Sequence, residues 1–108
     1  MKIQQIFEED SNSIIRRISR GRASETFTDD SMVDLASQAM KDKLRVSRRR
    51  VRQGWWRKDI CSTERLKKMM ANHIDKGDMV DVMNFAAMIF VREAQEAYEA
   101  RAKKEANG

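Results

Sequence analysis

Four side chains within nine residues carry the densest metal-ligating chemistry of the chain: His73, Asp75, Asp78 and Asp81. Carboxylates grouped where a helix begins can hold Mg²⁺ through oxygen ligands while a substrate's phosphates complete the shell. The same residues have a plainer use. Asp78 and Asp81 can cap the helix and complement its dipole, and Asp75 can simply be solvated. Spacing leaves both uses open and favours the plainer one. A second constellation lies upstream, where Lys43, Arg45, Arg48, Arg49, Arg50, Arg52, Arg57 and Lys58 flank the pair Trp55-Trp56. Arginines at this density pair with phosphates, and an exposed tryptophan can stack on a base. Its plainer counterpart is a solvated basic helix face with both tryptophans in the core. No recognition-helix signature accompanies the run, so binding through it would be largely independent of sequence.

Other chemistry finds little support. There is no CxxC, no second histidine, no GxGxxG and no GxxxxGK[ST], which removes the usual zinc sites, dinucleotide folds and P-loops. Cys61 and His73 lack any third residue to orient them as nucleophile and base. Cys61 reads instead as a small, partly buried residue ahead of a helix cap. A single cysteine excludes an internal disulfide and fits a reducing cytoplasm.

The charge is uneven. Residues 1–30 carry a net −1, residues 31–70 a net +8 and residues 71–108 a net −2, so the formal +5 belongs to the middle segment. A concentrated positive field attracts polyanions, either nucleic acid or an acidic protein surface. No run approaches the roughly 18 apolar residues of a membrane span, and MKIQQIFEED turns acidic where a secretory leader would be apolar.

These side chains must be positioned by helices. With 108 residues, no proline and four glycines, the chain fits one all-α domain and not a turn-rich β fold. Ile3, Ile6 and Phe7, then Ile14, Ile15 and Ile18, predict short helical pieces in an N-terminal arm over residues 1–30, with GRASETFTDD as a loop. Met32, Leu35, Ala36, Ala39, Met40 and Leu44 predict a helix from Ser31 to about Arg52. Ser62 caps the next, whose stripe is Leu66, Met69, Met70, His73 and Ile74, and Gly77 ends it. Asp78 caps the last helix, with Asp81 at N3 completing a variant capping box. Met79 to Val91 is nearly all apolar, which predicts burial on several sides. Beyond it lies a charged extension, residues 93–108, with pairs Arg92–Glu96 and Glu99–Lys103. One helical hairpin cannot cover so apolar a helix; either the N-terminal pieces or a second copy covers the surplus, and a homodimer is the favoured expectation. Six of the eight methionines sit in helical stripes and serve a plastic core or an adaptable interface.

The stretch from Met40 to Arg92 resembles the small MazG-like proteins of phages and prophages, relatives of the all-α nucleoside triphosphate pyrophosphohydrolases. Lys43-Leu44, Gly54-Trp55, Leu66 and the DVMNFAAMI run from Asp81 to Ile89 carry the resemblance, over about half the chain. It implies a helical fold, with residues 31–92 as its core, and a dimer. The family's ExxD motif stands here as Asp78-Met79-Val80-Asp81. Its ExxE helix reads Ala71-Asn72-His73-Ile74-Asp75-Lys76, without a glutamate, and the connection between the two motifs is shorter. By that resemblance Asp78 and Asp81, with Asp75 added, would hold Mg²⁺ in a pyrophosphohydrolase, while the missing carboxylates imply a scaffold that has lost catalysis. The expected function is therefore a phage-type, non-catalytic binding protein whose Arg/Lys/Trp segment engages nucleic acid or another polyanion, without a cofactor. The alternatives are the Mg²⁺-dependent pyrophosphohydrolase and a protein–protein module that modulates a host protein.

Overall fold

A computed structural model describes residues 3–50 and 54–108, with the backbone alone over residues 3–10. Arg52, one of the expected phosphate contacts, lies outside the described residues. The described residues form four helices and no strand: α1 Ile3–Ser19, α2 Glu25–Arg49, α3 Thr63–Asp75 and α4 Met79–Asn107. The all-α class stands, and no described helix is long and apolar enough to cross a membrane. The chain divides into two units, Met1–Ala39 and Met40–Gly108.

In the first unit a single 17-residue helix stands where the isoleucine spacing suggests shorter pieces. Asp10-Ser11-Asn12-Ser13 resembles a break, yet without proline or glycine nothing in it prevents the backbone ladder from continuing. Gly21, at φ 66°, ends α1: its amide donates to the Ile18 carbonyl and that of Arg22 to Arg17. The loop is far shorter than GRASETFTDD. Ser24 caps α2, its hydroxyl accepting from the Phe27 amide at 3.1 Å, so the helix starts at Glu25 and not at Ser31. The Arg17 guanidinium lies 4.0 Å from the centroid of the Phe27 ring and holds this corner closed.

In the second unit α3 and α4 pack as a helical hairpin. Capping chemistry sets its limits where the sequence places them. Ser62 Oγ accepts from the Arg65 amide at 3.1 Å, and Gly77 at φ 75° closes α3 with Gly77 N–H to Ile74 and Asp78 N–H to His73. Asp78 then caps α4, accepting from the Asp81 amide at 3.4 Å. The reciprocal half of a capping box is absent, because the Asp78 amide is already spent on His73 and the Asp81 carboxyl turns elsewhere.

The core is small: Cys61, Leu66, Phe85 and Ile89, with Met69, Met70 and Met88 against it. Cys61 is thus a packing residue. Burial of Met79–Val91 on several sides is not what forms. Asn84, Phe85 and Ile89 are buried, whereas Met79, Phe90 and Val91 are exposed. Helical geometry gives one partner helix one face, and α3 covers only that one.

Arg92 also departs from expectation. It is fully buried and makes no ion pair with Glu96. Its Nη2 donates to the Trp55 carbonyl and its Nη1 to Thr63 Oγ1 at 3.4 Å, and Thr63 in turn donates to Glu96 Oε1 at 3.2 Å. Glu99 pairs with Lys58 at 2.8 Å in place of Lys103. Both departures have one cause. The connector 54–62 folds back onto α4 and offers it closer partners than α4's own next turn. Gly54 starts that connector at φ 83° and is buried, and a Cβ there would meet Ile60 Cδ1 at 3.3 Å.

Candidate functional site

The two constellations read from the sequence both fall in the second unit. The basic one divides into neutralised and free cations. Lys43 Nζ lies 3.8 Å from Asp81, Arg45 is 3.4 Å from Asp42 and Lys58 is 2.8 Å from Glu99. Arg48, Arg49, Arg50 and Arg57 are exposed and make no ion pair among the described residues. Arg48 and Arg49 form the last turn of α2, where positive charge complements the helix dipole and leaves the guanidinium groups facing water. Exposed pairs such as Lys58–Glu99 are worth about 0–1 kcal/mol, so a polyanion can displace them.

The tryptophans split between the two roles that their sequence allows. Trp55 is half-buried, its carbonyl held by Arg92, while Trp56 keeps half of its surface in solvent. The rings meet edge to face, with centroids 6.0 Å apart at 88°. Trp55 therefore anchors the connector, and Trp56, next in sequence to Arg57, leaves half of its surface open.

The acidic constellation assembles differently from its spacing. His73, Asp78 and Asp81 converge, with their ligand atoms all within 4.8 Å of one another. His73 Nδ1 lies 3.4 Å from Asp81 Oδ2 and 3.7 Å from Asp78 Oδ2, and makes no hydrogen bond. The imidazole is fixed by Phe85, whose centroid is 5.2 Å away. Asp75 is exposed and stands outside this group. Residues 73 and 75 lie about 200° apart around a helix, so only one of them can face the turn.

The two carboxyls titrate as a pair. A hydrogen bond from Asp81, with help from the Asp81 amide and the charges of Lys43 and His73, holds Asp78 below the usual carboxylate range. Burial pushes Asp81 up, and the bond to Asp78 adds to that rise. The two carboxyls are therefore set apart, Asp81 holding its proton to higher pH than Asp78. Chemically, one imidazole nitrogen and two carboxylates fit a borderline divalent cation such as Zn²⁺ better than Mg²⁺, which prefers oxygen alone. One turn on from Asp81 in α4, the buried Asn84 donates from Nδ2 to the Met40 carbonyl at 3.3 Å.

An open cavity of about 460 Å³ lies at the start of α3. Lys58, Lys67 and Arg92 line it against Glu64, Glu93 and Glu96. The balanced charge gives it no preference for an anion.

Compared with protein-family models, curated proteins and solved structures, the chain matches none.

Proposed function

We propose that this protein binds polyanions, nucleic acid first among them, through the end of α2 and the connector that follows it. Arg48, Arg49, Arg50 and Arg57 contact phosphates, Lys43, Arg45 and Lys58 add to the field, and Trp56 stacks on an unpaired base. The observation that carries this reading is the set of exposed arginines without a carboxylate partner among the described residues, next to a half-exposed tryptophan. Basic side chains that serve only stability gain by pairing, as Arg45 and Lys58 do. On this reading the protein is a binding module and not an enzyme, on a helical scaffold resembling the MazG-like proteins. An acidic protein surface is the competing ligand, and a salt titration separates the two.

The test is the triple variant Arg48→Ala/Arg49→Ala/Arg50→Ala, assayed against single-stranded DNA and RNA across a salt series. Each lost phosphate contact lowers the slope of log K against log salt by about 0.7 on a single strand. The expected loss for the variant is roughly 2 in slope. An unchanged slope overturns the reading.

The convergence of His73 with Asp78 and Asp81 supports a second reading, a divalent-cation site that would assist phosphate chemistry in the manner of the pyrophosphohydrolases. Asp78 and Asp81 would hold the cation with His73, Asp75 would take no part, and Lys43 would steady a phosphate. Calorimetric titration with Zn²⁺, Mn²⁺ and Mg²⁺ tests it. Binding that His73→Ala abolishes supports the site, and no heat with any of the three ions removes it.

A further inference from the structure

The first unit carries a basic set that the net charge of residues 1–30 conceals. Acidic side chains stand at Glu8, Glu9 and Asp10 and begin again at Glu25. Between them, the fourteen residues from Ser11 to Ser24 hold four arginines and no acid. The structure gives these four two different uses. Arg17 is spent on the fold: its guanidinium lies over the Phe27 ring, and its Nε donates to the Arg22 carbonyl at 3.3 Å. Together with the Gly21 and Arg22 amides, bonded back to α1, it fixes the turn between α1 and α2. Arg16, Arg20 and Arg22 are exposed and make no ion pair among the described residues.

Nothing described in the unit offsets their charge. The Arg20 amide donates to the Arg16 carbonyl at 3.0 Å, so the helical step carries on to Arg20 and sets it one turn from Arg16 on the same side. Like charges so placed repel. The dipole of α1 favours Arg16 and Arg17 in its last turn, whereas Arg20 and Arg22 follow the helix end at Ser19. Nor do the acids of α2 come to them. Glu25 and Asp29 stand two residues either side of Phe27, about 200° around the helix from the face that meets Arg17. Asp30, one turn past Phe27, has no arginine at ion-pair distance among the described residues.

We propose that Arg16, Arg20 and Arg22 form a second phosphate-contacting set, through which the first unit grips the same polynucleotide strand as the end of α2. This rests on polyanion binding as the protein's function and adds three contacts to it at a second place. Guanidinium groups take phosphate oxygens in paired hydrogen bonds, and a fixed turn presents them with little left to order. The one ring at this corner, Phe27, has a face taken by Arg17, so the set holds the strand's backbone and stacks no base. Two contact sets on one chain hold a strand more tightly than either alone, because the second closes at an effective concentration that the first has raised.

Fluorescence anisotropy of a long labelled oligodeoxythymidylate, titrated with the full chain across a salt series, tests this. Arg16→Ala/Arg20→Ala/Arg22→Ala should lower the slope of log K against log salt by about 2, from about 0.7 for each lost contact. Adding Arg48→Ala/Arg49→Ala/Arg50→Ala should bring the loss to about 4. Arg16→Lys/Arg20→Lys/Arg22→Lys should keep the wild-type slope, because counterion release counts charges. Arg101→Ala/Lys103→Ala/Lys104→Ala, which removes three exposed cations at the end of α4, should keep it as well. An unchanged slope for the first variant overturns the proposal. If the Arg48–Arg50 variant still loses its share, polyanion binding survives that failure, and if neither loses any, both readings fall. An equal loss from the α4 variant would mean net charge alone and also overturns the proposal. Should circular dichroism show the alanine variant misfolded, Arg16→Gln/Arg20→Gln/Arg22→Gln decides in its place.

Discussion

Replacing Arg92 by methionine removes the one charged side chain that is fully buried among the described residues and keeps most of its volume. In the native chain its guanidinium donates to the Trp55 carbonyl and to Thr63 Oγ1. Hydrogen bonds to a charged group contribute about 1.5–3 kcal/mol each, so the two together hold roughly 4 kcal/mol. Against that stands the cost of enclosing a cation with no carboxylate at ion-pair distance among the described residues and with its Nε unpartnered. Losing the charge recovers about half of the 4 kcal/mol. The net cost of Arg92→Met is then about 2 kcal/mol, or a fall of roughly 8–16 °C in Tm for a unit of this size. The location of the damage is as telling as its size. With the Trp55 carbonyl released, the connector detaches from α4, and both tryptophans move into water. Thermal unfolding by circular dichroism gives the first quantity, and the wavelength of native-state tryptophan emission gives the second. Arg92→Lys should fall between, since one ammonium cannot reproduce the fork that spans both acceptors. A methionine variant as stable as the wild type, with unshifted emission, would refute the view that Arg92 fastens the tryptophan-bearing connector.

Two further outcomes follow from the packing and the site. Leu66, fully enclosed at the centre of the small core, should cost about 3 kcal/mol when cut to alanine, measured by urea unfolding. The Asp78–Asp81 pair should give carboxyl titrations on opposite sides of 3.8 by carbon-13 NMR. Asp78, whose folded pKa is lowered, stabilises the fold above its unfolded value and loses that contribution as pH falls through its folded pKa. Asp81, whose folded pKa is raised, works the other way, and its contribution falls as pH rises from the unfolded value through the folded one. The pair's share of stability therefore peaks near the unfolded carboxyl pKa. Asp78→Asn should remove the acid arm and bring Asp81 partway down, and an Asp81 titration unmoved by that change would contradict the coupling of the two carboxyls.

What the sequence makes legible here is whatever local chemistry decides. Ser62, Gly77 and Asp78 delimit α3 and α4 because caps need only their own few residues. Phe85 and Ile89 lie in a run too apolar for period to single them out, whereas Leu66 is readable as core from period alone. Arg92 is not, because an arginine followed by EAQEAYEAR looks like a solvated face until the connector is seen to fold onto it. The exposed side of α4 is hidden for the converse reason: apolar residues read as buried whether or not a partner is present. Ser24 was within reach as a cap, since its hydroxyl stands three residues before Phe27, but the polar run around it reads more readily as a loop. The ligand group was legible in part. Asp78 and Asp81 belong to it, while His73 takes the place expected for Asp75, and the i, i+2 spacing of the two already says that they face opposite ways.

Binding of the wild-type chain to a single-stranded polynucleotide, followed by tryptophan fluorescence at low and at physiological salt, bears most directly on the central claim. Trp56 sits half-exposed beside Arg57 and reports any base that stacks there. The account predicts quenching at low salt that weakens steeply as salt rises, by roughly 20-fold or more in affinity between about 50 and 150 mM for a contact set of four or more phosphates. Emission that stays unchanged through saturating polynucleotide at low salt would contradict it.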